Sequence, residues 1–367
     1  MESPKIIIIG SGWGSASFLK NIDKKYNITV ISTTSIFIYT PLLVNSLFNV
    51  NLKLEIPINM INPNIKFIKN KVSNIDFNNN QVNLNKETLK YDYLILSHGS
   101  DTNTFNIKGV NENCEFIQNI DNINLIRDKI NKLKSDSNIA IIGCGPTGSE
   151  IIGNLIDENI YNEKKYNIYA IDGSSNPLNM YHKNIQDYTF KLWKENNVNI
   201  IMNQYVSSMD NKNINFKDSI INYDMAFWCG GIKNNKLTET ILKDLNIENK
   251  FGIPVDNNLK IKSDNINNVY AIGDCSYSGN PPTAQVSYQQ GKYLANQFNY
   301  DLNLNEKFKY KPKGQICYIG NGNSVYDYKN TIYFKGKLTG YLNNFIHIYN
   351  CINNKQRYIF LKYLKYL

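Results

Sequence analysis

The chain has 367 residues, of which 42% are hydrophobic and 19% are charged, so it is long enough for two or three domains with their own cores. A disulfide-stapled miniprotein and a disordered tail are thereby excluded. The formal net charge is +9, but eleven of the 40 basic residues and only one of the 31 acids lie within residues 307–367. The body of the protein is therefore close to neutral, which argues against a nucleic-acid binder and assigns the positive charge to a C-terminal tail.

The first predicted strand, Lys5–Ile9, begins almost at the initiator, so no signal or transit peptide is expected. Six cysteines are spread along the chain without a C-x-x-C pair, which argues against a zinc site and against a secreted disulfide framework. No apolar stretch approaches the roughly 18 residues that are needed to span a bilayer. A reducing compartment is therefore expected, without a membrane-spanning helix.

Two segments share one design, a short β-branched run followed by a glycine turn and a helix-like stretch. The first runs from Ile6 to Ser15, and the second runs from Ile139 to Gly148. Glycines at these spacings permit a tight turn and a close approach of backbone N–H groups to a pyrophosphate at a helix N-terminus. Two such patterns in one chain predict two bound dinucleotides and an α/β fold with two nested Rossmann-like domains.

The two sites differ in the residue that ends the strand after each glycine fingerprint. After the second fingerprint the strand ends in Asp172, whose carboxylate can accept ribose hydroxyls and would repel a 2′-phosphate. This favours NADH over NADPH. After the first fingerprint the strand ends in Ser32, and Ser15 replaces the third glycine, so this fingerprint is incomplete by the general rule.

Further along the chain, two buried strand patterns end in glycine turns. Residues 91–96 lead to Gly99, and residues 225–229 lead to Gly230 and Gly231. These paired patterns predict a β-meander that returns to the main sheet in each dinucleotide domain. A later strand, residues 269–272, ends at Gly273 and Asp274; a plain turn aspartate before a loop is the alternative.

A helix is predicted after this loop, with Asn280 as its N-cap and Pro281 in its first turn. Gln285 and Gln289 are spaced i,i+4, so both amides lie on one face. The alternative is a surface helix with two solvated glutamines. The positive end of the helix dipole would favour negative charge at its N-terminus.

Several motifs, taken together, carry a resemblance to a known family. They are Gly10-x-Gly-Trp-Gly14, Phe37-x-x-Thr40-Pro41-Leu42-Leu43, Gly143-x-Gly-Pro-Thr-Gly148-x-Glu150, Gly273-Asp-Cys275 and Pro281-Pro-Thr-Ala-Gln-Val-Ser-Tyr-Gln289. These motifs resemble those of the type II (alternative, rotenone-insensitive) NADH:quinone oxidoreductases. This family belongs to the two-dinucleotide-binding, pyridine nucleotide-disulfide oxidoreductase-like flavoproteins. The resemblance keeps the same order of motifs from residue 5 to about residue 320. The proline-proline-threonine-alanine-glutamine stretch is the most specific element.

The resemblance implies non-covalent FAD in the first site and NADH, as substrate, in the second. Carried over by motif, the FAD residues are Gly10, Gly12, Trp13, Gly14, Ser32, Thr40, Pro41, Val72, Gly99, Gly273, Asp274, Thr283, Ala284 and Gln285. The NADH residues are Gly143, Gly145, Pro146, Thr147, Gly148, Asp172, Gly230 and Gly231.

The same resemblance implies a reaction that does not pump protons, in which hydride passes from NADH to the flavin and two electrons then pass to a membrane quinone. Gln285 and Gln289 match the family's quinone motif, with Ser287 in place of the usual alanine. Glu150 is expected near the nicotinamide and quinone, although an acid that merely favours the helix N-terminus is an equal alternative. No side-chain nucleophile and no metal are expected.

Three regions are expected along the chain. Residues 1–112 and 251–305 form a discontinuous FAD-binding domain, residues 113–250 form the NADH-binding domain, and residues 306–367 form a basic, aromatic region for membrane anchoring and dimerisation. In this tail, apolar residues recur at helical spacing opposite the lysines, as in amphipathic interfacial helices. The two apolar sets are Tyr341, Leu342, Phe345, Ile346 and Tyr349, and Ile359, Phe360, Tyr363, Leu364 and Leu367.

The expected partners are a quinone, an anionic membrane surface and a second copy of the chain, which makes the protein a peripheral, monotopic membrane protein and a homodimer. Two other functions stay open. One is a soluble NADH:acceptor flavin oxidoreductase whose tail is a dimer interface. The other is a degenerate, non-catalytic protein that binds FAD or NAD. Disulfide reduction is excluded because no cysteine precedes Cys114, and Cys317 is interpreted as a small buried residue.

Overall fold

The computed structural model describes residues 3–303 and 305–363, and the described chain divides into two compact units. The first unit contains the residues up to Thr40 together with Glu55–Asp101 and Ile232–Pro312. The second contains Pro41–Leu54, Thr102–Gly231 and the described residues from Lys313 onward. This division differs from the expected regions at several places. Residues 41–54 and 102–112 lie in the second unit, residues 232–250 and 306–312 lie in the first, and the described residues from 313 onward lie in the second.

The strands run through both units. In chain order they are β1 (Lys5–Ile9), β2 (Asn27–Ser32), β3 (Ile36–Ile38), β4 (Glu55–Pro57), β5 (Ile65–Lys69), β6 (Val72–Asp76), β7 (Gln81–Leu84), β8 (Thr88–Lys90), β9 (Tyr93–Leu96), β10 (Asp101–Thr102), β11 (Asn138–Ile142), β12 (Asn167–Ile171), β13 (Asn199–Ile201), β14 (Ser208–Met209), β15 (Asn213–Asn215), β16 (Ile220–Asn222), β17 (Met225–Trp228), β18 (Ile232–Lys233), β19 (Ile253–Pro254), β20 (Val269–Ala271), β21 (Ser276–Tyr277), β22 (Gln315–Gly320), β23 (Asn323–Tyr328) and β24 (Ile332–Gly336).

The helices are fewer and mostly longer. They are α1 (Trp13–Asn21), α2 (Asn45–Phe48), α3 (Ile58–Ile61), α4 (Val110–Asn113), α5 (Ile120–Lys132), α6 (Pro146–Tyr161), α7 (Lys183–Glu195), α8 (Lys236–Asp244), α9 (Ala284–Asn299), α10 (Lys337–Tyr349) and α11 (Asn354–Tyr363). Short 3-10 turns lie at Thr40–Leu42 and Gly273–Cys275. Within the described ranges, no helix is both long and apolar enough to cross a bilayer.

The first unit is built on a five-stranded parallel sheet in the order β20-β9-β1-β2-β5. Ile6, Ile7, Ile8 and Ile9 of the central strand are all buried, as expected for a parallel sheet that is covered on both faces. The antiparallel meander β6-β7-β8 precedes β9, which confirms the meander predicted for this part of the chain.

The helices of the first unit fix the position of its glycine turn. Helices α1 and α9 pack so closely that a Cβ atom at Gly291 would lie 2.2 Å from the carbonyl oxygen of Gly14. At the far end of α9, the ring of Phe298 makes edge-to-face contacts with the rings of Phe18, Tyr93 and Tyr270. Such aromatic contacts stabilise the pair beyond simple burial.

The second unit repeats the design of the first. Its parallel sheet has the order β13-β12-β11-β17, and the meander β14-β15-β16 leads into β17, as predicted. The strand faces and the meander enclose an apolar core that includes Ile142, Ile171, Ile214 and Trp228. The two sheets confirm the predicted α/β class with two Rossmann-like domains.

The C-terminal strands belong to the second unit rather than to a separate tail. β22, β23 and β24 form an antiparallel sheet, and β22 lies so close to α6 that a Cβ atom at Gly153 would be 2.7 Å from the amide nitrogen of Gly320. The indole N–H of Trp193 donates a hydrogen bond of 3.1 Å to the carbonyl oxygen of Ile319. Helix α10 then packs on β23 and is followed by α11.

Two local predictions need correction. Helix α9 begins at Ala284 with Thr283 as its N-cap, whose hydroxyl accepts a hydrogen bond of 3.2 Å from the Val286 N–H. The prediction of Asn280 as the cap is wrong because Pro281, which would then be the first helical residue, is followed by Pro282, and a residue that precedes proline disfavours the helical conformation.

In the tail, Phe360 is fully buried, so the second apolar set is in part a packing face rather than an exposed one. Leu364 and Leu367, which complete that set, lie outside the described residues.

Candidate functional site

The first glycine turn lies between β1 and α1. Gly10 has φ +108°, and a Cβ atom there would lie 2.2 Å from the carbonyl oxygen of Ser97, so the turn requires glycine. At Gly12, by contrast, a Cβ atom would meet no described atom within 4 Å. Gly14 packs against β9, because its Cβ atom would lie 2.8 Å from Ser97 Oγ. The turn is thus closed at its first and third glycines and open at the second.

The second glycine turn, between β11 and α6, shows the same division. Gly143 has φ +100°, and its Cβ atom would lie 2.6 Å from the carbonyl oxygen of Cys229. A Cβ atom at Gly148 would lie 1.9 Å from the carbonyl oxygen of Gly143. Gly145 faces open space, with no described atom within 4 Å of its Cβ position. One glycine for the turn, one for the ligand and one for helix packing are the roles that a dinucleotide fold assigns to them.

Both helices that follow the turns begin in a way that suits an anion. Gly12 and Gly145 are the N-caps of α1 and α6, and among the described residues no side chain caps either helix. The N–H groups of the first turns, with the positive end of the helix dipole, are therefore available to a phosphate. Pro146 is the first residue of α6, where its missing N–H costs nothing.

Ser15, which departs from the fingerprint, is accommodated by the structure. Its side chain is fully buried, and its hydroxyl donates a hydrogen bond of 2.8 Å to the carbonyl oxygen of Gly10. The serine therefore holds the turn closed from inside the unit, while the open side of the turn at Gly12 is unaffected. The departure gives no structural reason for the first site to be degenerate.

The residues that end the second strands occupy equivalent positions. Ile31 pairs with Ile9 in one sheet, and Ile171 pairs with Ile142 in the other, so Ser32 and Asp172 both follow the last paired residue. The Asp172 carboxylate accepts hydrogen bonds from the Cys144 N–H at 2.6 Å and the Ser174 N–H at 2.7 Å. Ser32 Oγ lies 3.2 Å from Ser11 Oγ. Each side chain thus lies against the glycine turn of its own unit.

Trp13 and the turn at Thr40 lie together. The indole N–H of Trp13 donates a hydrogen bond of 2.9 Å to Thr40 Oγ1, and its ring contacts those of Phe37 and Tyr39 at centroid distances of 5.0 and 5.2 Å. Pro41 follows in the same 3-10 turn. Val72 is the buried first residue of β6.

Gly273 and Asp274 form a 3-10 turn immediately after β20, with Gly273 at φ +75°. Desolvation raises the pKa of Asp274, while a hydrogen bond from Ser287 acts in the opposite direction. The Gly273 N–H donates a hydrogen bond of 2.7 Å to Gln290 Oε1. Gln290 is buried, and sequence reasoning missed it because no spacing rule connects it to a turn 17 residues earlier.

Gln285 and Gln289 are half-buried, and both amides make hydrogen bonds with other parts of the chain. Gln289 makes two hydrogen bonds with the backbone of Lys311, one from its Nε2 to the carbonyl oxygen at 2.9 Å and one from the Lys311 N–H to its Oε1 at 3.0 Å. The Tyr310 hydroxyl donates a hydrogen bond of 2.8 Å to Gln285 Oε1. Sequence reasoning missed Tyr310, which lies 25 residues after Gln285. Both amides are therefore oriented by the chain that follows α9.

Glu150 occupies a partly buried position on α6, where desolvation raises its pKa to about 8. The thiols of Cys229 and Cys317 are influenced by its charge, and burial raises the pKa of Cys229 to about 12 and that of Cys317 well above its usual value. Both cysteines are therefore protonated thiols at neutral pH, and neither has the thiolate character of a redox nucleophile.

The other predicted site residues are placed as follows. Gly99 and Gly231 have positive φ angles, and a Cβ atom at either position would meet no described atom within 4 Å. A Cβ atom at Gly230 would lie 2.8 Å from the Trp228 ring. Thr147 is exposed in the first turn of α6, and Ala284 is the first residue of α9. His98 Nε2 lies 3.0 Å from Thr238 Oγ1, and burial lowers the pKa of this histidine to about 4. His98 is therefore neutral and structural. The described residues contain no cluster of His, Cys, Asp and Glu that could hold a metal ion.

Two parallel sheets, each with a glycine turn that is open at its second glycine and with a meander, define the class of proteins with two dinucleotide-binding domains. Residues 4–291 match the family described as pyridine nucleotide-disulphide oxidoreductase. The chain is 30% identical to a probable NADH dehydrogenase of Dictyostelium discoideum, over 89% of this chain and 81% of that protein.

The external NADH-ubiquinone oxidoreductase 2, mitochondrial, of Saccharomyces cerevisiae is 27% identical over 89% of this chain and 73% of its own. The solved structure of NDH2 from Plasmodium falciparum in complex with NADH superposes with a TM-score of 0.89 at 26% identity, covering 98% of this chain and 97% of that one. The chain belongs to the pyridine nucleotide-disulphide oxidoreductase family and, within it, to the type II NADH:quinone oxidoreductases.

Proposed function

We propose that this protein is an FAD-dependent NADH:quinone oxidoreductase that does not pump protons, working at a membrane surface. The observation that carries the proposal is the pair of glycine turns, each open at its second glycine and followed by a helix N-terminus that no described side chain caps. Membership of the family supports it, as does the similarity to an NDH2 structure that was determined in complex with NADH.

The first site fits a flavin dinucleotide. Gly12 leaves room for a pyrophosphate against the backbone, and Trp13, Thr40 and Asp274 all lie at the ends of strands or turns of this unit. We assign Val72 to the adenine side, Asp274 to the ribityl hydroxyls, and Thr283 to Gln285 to the electron-accepting end of the flavin ring. When bound, FAD supplies both the hydride acceptor and the two-electron donor.

The second site fits NADH better than NADPH. Gly145 provides the open approach for the pyrophosphate, and the Asp172 carboxylate lies directly beside the glycine turn. A 2′-phosphate at that position would meet a like charge, which is unfavourable. Glu150 lies on α6, the helix that begins at this site. Because its pKa is raised to about 8, its carboxyl group is largely neutral at pH 7.

Gln285 and Gln289 are proposed as the quinone-site residues, and their contacts make the roles more specific. The two hydrogen bonds between Gln289 and Lys311 hold the segment after α9 against the helix. The Tyr310 hydroxyl fixes which way the Gln285 amide faces. We therefore assign Gln289 and Tyr310 as positioning residues and Gln285 as the residue that contacts the quinone.

The membrane contact is proposed for an exposed apolar set that we call the C-terminal apolar surface. It lies on β24, α10 and α11, which follow one another in the chain. Three of its side chains are strongly exposed: Leu338 at 84%, Tyr341 at 72% and Phe345 at 63%. The remaining members are Ile332, Phe334, Leu342, Tyr349, Tyr358 and Leu361.

Lys335, Lys355 and Lys362 belong to the same segments. Each cation near an anionic leaflet adds about 1 kcal/mol of attraction, which supplements apolar insertion. Peripheral association with a membrane that contains quinone is therefore proposed, and a homodimer stays a prediction.

A stopped-flow experiment tests the proposal. Purified protein should be yellow, NADH should bleach the flavin without oxygen, and a quinone should then restore the colour. A colourless protein that cannot be reconstituted with FAD would contradict the proposed function.

Gln289→Ala is expected to slow reoxidation by quinone at least about tenfold while flavin reduction by NADH is unchanged, since the segment that carries Tyr310 loses two hydrogen bonds. Asn296→Ala, which truncates an exposed amide on the same helix, is the matched control. An equal loss in both half-reactions would remove Gln289 from the quinone site.

A further inference from the structure

A tyrosine of the second unit lies beside the predicted ribose acid, and the proposed reaction does not use it. Tyr205 follows β13, and its side chain is 78% exposed. Its ring nevertheless lies against the backbone, because a Cβ atom added at Gly173 would be 2.3 Å from Tyr205 Cε1. Gly173 is the residue directly after Asp172. The ring therefore rests on Gly173, and most of its surface is open.

Backbone hydrogen bonds hold this tyrosine at the edge of the sheet where β12 ends. The Gln204 N–H donates a hydrogen bond of 3.0 Å to the Asp172 carbonyl oxygen. The Asn203 N–H donates one of 2.9 Å to the Ser174 carbonyl oxygen. The Asp172 carboxylate in turn accepts a hydrogen bond from the Cys144 N–H in the second glycine turn. The tyrosine and the glycine turn are thus connected through a single aspartate.

Gly173 makes room for the ring and is not required by the backbone. Its φ angle is not positive, so the left-handed conformation that favours glycine is absent here. The atoms nearest to a Cβ atom at this position all belong to the Tyr205 ring, at 2.3 to 2.9 Å. A side chain at residue 173 would therefore displace the ring, and the absence of one lets the ring lie directly beside Asp172.

The first unit contains a counterpart of this segment. Residues 72–76 and residues 206–210 share the pattern Val-Ser-x-apolar-Asp, and each set follows the edge strand of its parallel sheet. Both valines are buried. Both serine hydroxyls donate to a carbonyl oxygen in the middle strand of the following meander, at 2.8 Å in the first unit and 2.9 Å in the second. Since Val72 is assigned to the adenine side of the first site, Tyr205 lies where the second site would hold its adenine.

We propose that the Tyr205 ring is the surface on which the adenine of NADH stacks in the second site. The inference rests on the proposed function, which assigns the adenosine ribose to Asp172. Only the ribose C2′ and C1′ atoms separate the 2′-hydroxyl oxygen from the purine, so a ribose bound by Asp172 has its base close to this residue. The exposed ring beside the acid gives the base an apolar partner, and a base stacks favourably on an aromatic side chain.

The adenine suits this contact better than the other parts of NADH do. The nicotinamide is at the opposite end of the dinucleotide, beyond the pyrophosphate that is assigned to the turn at Gly145. The riboses and phosphates are polar and gain little from an apolar ring. Stacking uses the face of the purine and not its edge, so the site should also accept hypoxanthine in place of adenine, and the tyrosine hydroxyl should be dispensable.

Calorimetry with ADP-ribose tests the contact without requiring turnover. This ligand carries the adenine, the pyrophosphate and both riboses but no nicotinamide, so it cannot reduce the flavoprotein. We expect Tyr205→Ala to weaken its binding about tenfold and Tyr205→Phe to change it less than about twofold. Gly173→Ala should weaken binding as Tyr205→Ala does, at an unchanged Tm, because its methyl group displaces an exposed ring and meets no closer atom.

Tyr161→Ala is the matched control, since Tyr161 is 73% exposed and is the last residue of α6. The second glycine turn precedes the other end of this helix, about 22 Å away at 1.5 Å per residue. This variant should bind ADP-ribose as tightly as the wild type.

The reduction of the flavin distinguishes a contact with adenine from a change in the fold. In stopped-flow experiments, Tyr205→Ala should raise the Kd for NADH about tenfold and leave the limiting rate of flavin reduction unchanged. Reduced nicotinamide mononucleotide has no adenosine, so it should reduce the variant and the wild type equally fast.

Three outcomes would contradict the inference, and they are distinguishable from one another. If Tyr205→Ala bound ADP-ribose normally while Asp172→Ser bound it weakly, the inference would fall and the NADH site would stand. An equal loss with NADH and with the mononucleotide would show that the tyrosine acts through the fold. A wild-type protein that does not bind ADP-ribose would contradict the second nucleotide site itself, and with it both the proposed function and this inference.

Discussion

Asp172 has a local structural role, and the proposed function gives it a second role in the choice of substrate. Its carboxylate accepts hydrogen bonds from the Cys144 and Ser174 amides, and in the proposed NADH site it would repel a 2′-phosphate. Asp172→Ser is therefore expected to lower the ratio of kcat/KM for NADH to that for NADPH at least about tenfold, or about 1.4 kcal/mol. Steady-state kinetics with both nucleotides measures the ratio.

The amide variant Asp172→Asn separates the two roles of this residue. It removes the charge and keeps an acceptor for the Cys144 N–H, so it should relax the discrimination with a smaller rise in KM for NADH. An unchanged NADH/NADPH ratio in both variants would exclude Asp172 from the ribose site.

Glu150 gives the stability a pH dependence whose sign follows from its burial. Desolvation raises its pKa from 4.5 to about 8, so the folded protein binds a proton more tightly than the unfolded chain. The stabilisation is therefore fully present below pH 4.5 and is lost as the pH rises to about 8. Glu150→Gln should raise the Tm relative to wild type by more at pH 8.5 than at pH 5, by at least about 2 °C.

Thermal unfolding of Glu163→Gln over the same pH range is the control, because this carboxylate is exposed. A constant difference in Tm between Glu150→Gln and wild type at all pH values would show that Glu150 does not titrate in this window.

Among single residues, the sequence identified those whose neighbours lie close in the chain. Gly10, Gly143 and Asp172 follow from short spacing rules, and their geometry agrees with those rules. Gln290 and Tyr310 were missed because their hydrogen bonds connect segments 17 and 25 residues apart. No local pattern encodes such a contact; only the packing of α9 against the residues before and after it does.

At the level of elements, the glycines within one strand-turn-helix unit have different roles, and glycine-to-alanine substitutions can test this difference. Gly145→Ala adds a methyl group on the open side of the turn, where no described atom lies within 4 Å. We expect an unchanged Tm, an unchanged flavin content and a KM for NADH that is raised at least about tenfold.

Gly148→Ala, the matched change three residues later, would place its Cβ atom 1.9 Å from the Gly143 carbonyl oxygen. Overpacking of this kind costs about 1–3 kcal/mol, so this variant should lose stability. If both variants had the same effect on Tm, the assignment of Gly145 to the ligand side would be wrong.

The sequence predicted whether a segment is a helix better than it predicted where that helix begins or which of its faces is buried. The helix after Gly273 was predicted from composition, but its start at Ala284 follows from the two prolines that hold the preceding residues out of the helix. The tail helices were predicted from their apolar periodicity, which does not say whether a stripe faces lipid or protein. Phe345 is exposed and Phe360 is buried, although both are aromatic members of such stripes.

For the whole molecule, the testable feature is the C-terminal apolar surface. Leu338→Glu with Phe345→Glu replaces two strongly exposed apolar side chains by charges, so folding should be unaffected and vesicle binding should fall at least about tenfold. Turnover with a soluble quinone should be retained. Rising salt should weaken wild-type binding to anionic vesicles, because ions screen the attraction of the lysines.

Leu125→Glu is the matched control, since Leu125 is 62% exposed and lies on α5, which carries no member of the proposed surface. If the double variant bound vesicles as well as wild type while its oligomeric state changed, the surface would be an interface between copies of the chain instead.

The sequence by itself determined the α/β class, the two glycine turns, the acid at the end of the strand after the second turn and the concentration of positive charge after residue 306, because each of these is a matter of spacing or composition. Tertiary structure alone decided that residues from 313 onward join the second unit, that Gln289 holds Lys311, and that the Tyr205 ring lies against Gly173. The physical reason is that burial and hydrogen bonding between distant segments depend on which surfaces meet, and a linear pattern does not contain that information.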